Sequence, residues 1–221
     1  MTPTLHRSDV ELKSAVVEEL GWTPSVDDTH VGVAVNDGAV ALSGEVASYP
    51  EKLLAIHAAQ RVRGVTAVAQ DIVVRSAWGE AKDIDIAREA GEALERAVDV
   101  PASVKVAVHG HVVTLSGAVN WQYQREAADR AFRYTKGVTG VFNLLEIRPA
   151  AMASGCKAAI TSALVRNARL ESKHITVTTD DAGSATVEGT VGSWAESRQA
   201  EHACWAAPGV TGVINNLRIE Y

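Results

Sequence analysis

Two histidines, His109 and His111, are the pair whose types and spacing best suit metal chemistry. One residue separates them, and that spacing puts two side chains on the same face of a β-strand. A structural zinc site needs four ligands, and no cysteine or carboxylate stands near the pair in the sequence. The pair also flanks Gly110, and a glycine between two strand-like runs is typical of a hairpin turn. We therefore predict a turn here, with no metal and no cofactor.

Two cysteines, Cys156 and Cys204, are the candidates for thiol chemistry. Each falls on the apolar stripe of a predicted helix, which favours two small buried side chains over a disulfide framework. A redox contact between the two thiols is the alternative, and the sequence leaves it open.

Catalytic motifs are absent from the sequence. No serine stands in a nucleophile-elbow context, and no stretch has the glycine-rich, lysine-bearing pattern of a phosphate-binding loop. His57 and His202 stand at equivalent positions of the repeat described next, with Arg130 at the third position, so a polar helix face explains them. We predict that the chain is not an enzyme.

One stretch of sequence occurs three times. It is Val40–Val46, then Val113–Val119, then Ala185–Val191, and each copy has a glycine at its centre. Regular recurrence at this distance indicates tandem copies of one small structural unit. We predict three units, at residues 1–76, 77–149 and 150–221.

Six glycines recur with the repeat. One lies at the centre of each stretch, and another, followed by Val-Thr, lies 20 positions later. Bends and tight turns require glycine for its backbone freedom, and this explains the positions better than ligand binding. We predict a structural role for Gly44, Gly64, Gly117, Gly137, Gly189 and Gly209.

The first unit indicates how each copy folds. An apolar stripe with helical spacing follows Ser8, a residue type that caps helix N-termini. Valines alternate along residues 31–35, and Asn-Asp-Gly at 36–38 is typical of a hairpin turn. Pro50 fits the first turn of a second helix with a face of small residues, and residues 65–74 supply a third strand. The predicted order is α-β-β-α-β.

The same order is predicted for the other two units, with Asp83 capping the first helix of the second. The fold class is therefore α+β, with three tandem α-β-β-α-β units. Each unit has a three-stranded mixed sheet with two helices on one face, because a crossover helix makes the third strand parallel to the second. The other sheet face stays open to water, another unit or a partner.

Aromatic residues cluster at the start of each predicted second helix. They are Tyr49, Trp121, Tyr123 and Trp194. We favour a structural role, in which each ring fixes the angle at which the chain enters the helix. The alternative is an exposed row of aromatics that contacts a lipid interface or the apolar surface of a client protein.

Composition and charge narrow the choice of partner and compartment. The formal charge is −6 with no Lys/Arg run, which argues against nucleic-acid binding and against purely electrostatic adhesion to lipid. No apolar run approaches the roughly 18 residues of a spanning helix, so no transmembrane segment is expected. The N-terminus lacks the pattern of a signal peptide, which predicts a cytoplasmic protein.

The repeated pattern resembles the BON family, named for bacterial osmotically induced and nodulation proteins. The resemblance rests on the three glycine-centred stretches together with the later motifs Gly64–Val68, Gly137–Val141 and Gly209–Val213. It implies a non-enzymatic protein of stress or osmotic response, or of the cell envelope, that binds phospholipid or protein partners. It also implies a periplasmic location if a leader has been removed. The alternative function is a chaperone-like holdase that binds exposed apolar segments of client proteins.

Overall fold

A computed structural model describes residues 7–75, 81–149, 156–166, 175–180 and 182–220, with side chains in 156–166 described only for 158–163. In chain order, the first unit has a helix, a two-stranded hairpin, a second helix and a return strand. Its elements are α1 (Asp9–Gly21), β1 (Val31–Asn36), β2 (Ala39–Val46), α2 (Tyr49–Arg61) and β3 (Ala67–Val74), with a 3-10 turn at Asp28–His30.

The second unit follows the same order with shorter strands. Its elements are α3 (Asp83–Arg96), β4 (Lys105–His109), β5 (Val112–Ser116), β6 (Ala118–Val119), α4 (Gln122–Phe132), β7 (Gly140–Asn143) and β8 (Glu146–Ile147). Its predicted return strand is therefore broken. At the break the Asn143 carboxamide accepts a hydrogen bond from the backbone of Leu145 and donates one to the carbonyl of Arg125 in α4.

The third unit has α5 (Cys156–Arg166), β9 (Ile175–Thr179), β10 (Ser184–Val191), α6 (Trp194–Trp205) and β11 (Gly212–Ile219). The Cys156 side chain lies outside the described residues, and so do residues 167–174 that precede β9.

The three three-stranded sheets share one strand order and pairing, and the second unit adds a short parallel pair of β6 and β8. The second strand is central, antiparallel to the first and parallel to the last. In all three units the central strand pairs with residues 28 positions later, as in Val40 with Val68, Val113 with Val141 and Val187 with Asn215. The predicted α+β class with three-stranded mixed sheets is confirmed.

Each unit has its own apolar core. In the first unit, Leu12 of α1, Leu42 of β2 and Ala58 of α2 are buried in one cluster, so both helices pack on the central strand. The face of α2 is made of alanines because close helix–sheet contact leaves no room for larger side chains. The second and third units form corresponding clusters around Leu115 and Val187.

A carboxylate from the first helix holds the hairpin turn in two of the units. Asp83 accepts hydrogen bonds from the backbone N–H groups of Gly110 and His111, at 2.8 and 2.9 Å. Asp9 does the same for Asp37 and Gly38. The prediction that Asp83 caps its helix is wrong, because Lys82 is the N-cap residue and the Asp83 carboxylate is used by the turn.

The central glycines take a backbone conformation that other residues avoid. Gly44 has φ +123° and Gly117 has φ +120°. A Cβ at Gly44 would collide with the carbonyl oxygen of His30, and one at Gly117 with that of Ser103. These contacts give a physical reason for glycine at the bend of the central strand. The structural role of all six glycines stays a prediction.

Candidate functional site

The second helices of the three units, α2, α4 and α6, meet one another through two repeat-equivalent positions. Five residues after the central glycine stands a leading residue, which is Tyr49, Gln122 or Trp194. Sixteen residues after that glycine stands a trailing residue, which is Gln60, Arg133 or Trp205. The leading residue of each unit lies against the trailing end of the second helix in another unit.

Tyr49 joins the first unit to the second. Its ring packs against the core of the second unit, and its hydroxyl forms a hydrogen bond with the backbone of Val141. Burial raises the pKa of Tyr49, and the nearby Asp129 carboxylate raises this pKa further. Tyr49 is therefore an internal contact between units.

Trp194 joins the third unit to the first. Its indole Nε1 donates a hydrogen bond of 2.9 Å to the carbonyl oxygen of Val65, just after α2. One turn further along α6, Arg198 donates to the trailing residue Gln60 at 3.5 Å. Trp194 too is an internal contact between units.

The second unit meets the third differently, because its leading residue is Gln122. The trailing residue there is Trp205, which packs against the core clusters of both the second and the third unit. Where the other two interfaces have an aromatic leading side chain, this one has a pocket of about 480 Å³. The pocket is lined by Trp121, Gln122, Tyr123, Glu126, His202, Trp205 and Ala206.

Polar contacts fix the walls of this pocket. Gln122 donates to the Glu126 carboxylate at 3.2 Å, and Arg130 lies 3.6 Å from the same carboxylate. The Trp205 indole donates to Glu201 at 3.4 Å. Among the described residues, the Gln122 Oε1 atom is the one buried side-chain polar atom without a hydrogen-bond partner. This carboxamide is able to accept a hydrogen bond that the protein does not supply.

The four aromatics predicted at the start of the second helices are divided by the structure. Tyr49 and Trp194 are half-buried between units, whereas Trp121 and Tyr123 are 40% and 52% exposed at the pocket rim. They do not form a single row. Trp121 and Tyr123 are therefore the more accessible pair, and a partner-surface role for the four aromatics stays a prediction.

Sequence reasoning did not single out Gln122 or explain Trp205. The missing signal was the strict register of the repeat, which equates Gln122 with Tyr49 and Trp194. Trp121 and Tyr123, one position before and one after Gln122, carry the aromatic signal at this place in the sequence.

The other candidate residues have local roles. His111 is in the hairpin turn with φ +68°, and its Nδ1 lies 3.2 Å from the carbonyl oxygen of Gly137. No group of metal-ligating side chains is found among the residues that the structure describes. Cys204 is buried in the core of the third unit. A redox contact with Cys156 stays an untested alternative.

The fold is a tandem repeat of three α+β units, with contacts between the units at their second helices. Three segments match the model of the BON domain, at residues 8–76, 82–149 and 154–221. The chain belongs to the BON-domain family, and the predicted three tandem copies are confirmed.

One curated relative is osmotically-inducible protein Y of Escherichia coli strain K12. It is 34% identical over 123 residues, which cover 52% of this chain and 61% of that protein. Among solved structures, the C-terminal domain of CdsD, a structural protein of the type III secretion system of Chlamydia trachomatis, aligns over 97% of this chain and 100% of that domain. The identity is 15% and the TM-score 0.27, a likeness that carries no argument about this chain.

No helix among the described residues is long and apolar enough to cross a membrane. The comparisons give no support to a cytoplasmic location.

Proposed function

We propose that this chain is a non-enzymatic stress-response protein whose second unit binds a phospholipid surface. Membership of the BON-domain family and the similarity to an osmotically inducible protein support the stress-response part. In this proposal the modules are residues 1–76, 77–149 and 150–221, each with two helices on one sheet face. The periplasmic alternative, which the family resemblance implies, replaces the cytoplasmic prediction.

The observation that carries the proposal is where large apolar side chains are exposed. Of the twelve such side chains among the described residues, seven belong to residues 82–149. Phe142 and Leu144 are both 63% exposed and stand two positions apart in an extended stretch, so they share one face. Two neighbouring large apolar side chains on one exposed face are a candidate contact surface for a partner.

The charge of the protein favours apolar insertion over electrostatic adhesion. A net charge of −6 repels anionic headgroups, so binding must come from side chains such as Phe142 and Leu144 that enter the interface. Binding of this kind should depend weakly on salt.

Liposome flotation with neutral and anionic vesicles tests the proposal. The variant Phe142→Ser/Leu144→Ser should lose most of its vesicle binding. Ile214→Ser is a matched control, because Ile214 is 52% exposed at the same repeat position as Phe142 but in the third unit. Failure of the wild-type protein to float with any vesicle would contradict lipid binding. If the Phe142→Ser/Leu144→Ser variant instead lost the binding of a protein, that protein partner would replace lipid in the proposal.

The holdase alternative depends on the open sheet faces. In the first unit the exposed face carries mostly small side chains, at Gly32, Ala34, Ala41, Ser43 and Ala69, beside Val73, which is 53% exposed. A client segment gains little apolar contact from such a face, because the burial energy scales with apolar area. Suppression of client aggregation that survives Phe142→Ser/Leu144→Ser would favour the holdase over the proposed function.

A further inference from the structure

The three contacts between second helices break their symmetry at one place. Tyr49 and Trp194 each place an aromatic ring against a neighbouring unit and hydrogen-bond its backbone through the polar tip of the ring. Gln122 stands at the equivalent position of the second unit and supplies no ring. A pocket of about 480 Å³ lies there instead.

We propose that this pocket is a binding site for a planar aromatic group that carries an N–H or O–H donor, such as an indole or phenol ring. The guest takes the place that Tyr49 and Trp194 occupy at the other two interfaces. This goes beyond the proposed lipid contact, which uses Phe142 and Leu144 and none of the pocket residues.

The walls of the pocket fit such a guest. Trp121, Tyr123 and Trp205 offer three aromatic faces, and aromatic pairs gain about 0.5–1.5 kcal/mol beyond the area that they bury. The volume lies within the range of small-molecule sites, and a few polar groups among mostly apolar ones are typical of them.

The hydrogen-bonding capacity of the pocket selects a guest with a donor. The Gln122 Oε1 atom is buried without a partner among the described residues, and a buried unsatisfied acceptor costs about 1–3 kcal/mol. A turn of the carboxamide, which gives up the hydrogen bond from Gln122 to Glu126, brings this oxygen to the pocket, where an indole N–H or phenol O–H on the guest can donate to it. A purely hydrocarbon ring leaves that cost in place.

The same ring chemistry has two sources, a free small molecule and an aromatic side chain of a peptide. Titration calorimetry of the full chain with indole tests the first, and titration with N-acetyl-tryptophan amide tests the second. We expect one binding site per chain, measured in a buffer that contains no other aromatic compound. Wild-type protein that binds neither probe overturns the proposal.

The variant Gln122→Trp supplies the missing ring from within the chain. It should weaken probe binding at least tenfold and raise the melting temperature, since the new indole fills the pocket. The matched control is Gln70→Trp, which adds the same side chain at an exposed position of β3 and should leave binding unchanged. Unchanged probe binding in a folded Gln122→Trp protein overturns the proposal.

A second variant tests the symmetry itself. Tyr49→Gln removes the ring at the interface between the first and second units, and we expect two probe sites per chain where the wild type has one. A folded Tyr49→Gln protein that still binds one probe would contradict the view that leading rings and guests occupy equivalent places.

Discussion

His57 stands where all three units come together. It belongs to α2 of the first unit, yet Arg198 of the third unit and Arg133 of the second are close enough to affect its protonation. Burial lowers the pKa of His57, and Arg198, Arg133 and Arg61 lower it further because their charges repel an imidazolium. The neutral imidazole is therefore the form that this half-buried position favours.

The lowered pKa of His57 predicts a loss of stability in mild acid. Below pH 6.5, the ordinary pKa of histidine, the unfolded chain takes up a proton that the folded His57 resists. The free energy of unfolding therefore decreases as the pH is lowered. The loss ends once the pH is below the folded pKa as well. Urea denaturation between pH 7.5 and 5 should show a smaller fall for His57→Gln than for the wild type. Equal slopes would show that His57 does not carry this effect.

At the same scale, the sequence identified the right region of the candidate site and missed its defining residue. Aromatic type pointed to Trp121 and Tyr123, which do border the pocket. Gln122 carries no such signal, because it is distinctive only by comparison with Tyr49 and Trp194, the aromatic residues at the equivalent positions. Only the register of the repeat and the contacts between units together reveal it.

At the scale of elements, local pattern was sufficient for most of the fold. Ser8 and Glu11 form a capping box at the start of α1, and Asp37 and Gly38 form the turn between β1 and β2, as the residue types predict. The role of Asp83 and the break after Asn143 were not predictable, because each depends on a partner that is distant in the sequence. Side chains that bond across elements leave no local pattern.

The bend of the central strand depends on a glycine, and Gly44→Ala tests this. We expect a loss of at least about 2 kcal/mol in unfolding free energy, because a positive φ and a collision with the His30 carbonyl must both be relieved. Gly91→Ala in α3 is the control: nothing lies within 4 Å of its added Cβ, and we expect a gain of about 0.5–1 kcal/mol. Similar effects of the two substitutions in urea denaturation would argue against a special role for Gly44.

At the scale of the whole molecule, the units form a closed ring of contacts. The first unit meets the second through Tyr49, the second meets the third at Trp205, and the third returns to the first through Trp194. The sequence left open whether the units are arranged compactly or like beads on a string, since each unit repeats a pattern that is complete in itself. The ring depends on helix surface residues that differ among the three copies.

If the ring couples the units, weakening one contact should affect how the whole chain unfolds. Trp194→Ala removes a half-buried ring and its bond to Val65, and we expect a loss of about 2 kcal/mol together with a shallower urea transition, because the units then unfold less cooperatively. Trp22→Ala removes the same side chain from a position that is 85% exposed and should change stability by less than about 0.5 kcal/mol. Equal effects of the two tryptophan variants would mean that the units fold independently and that the contacts between them add no stability. A shallower transition for Trp194→Ala alone would show that the contacts between units make the three units unfold together. The pocket beside Gln122 would then lie in an interface that couples units.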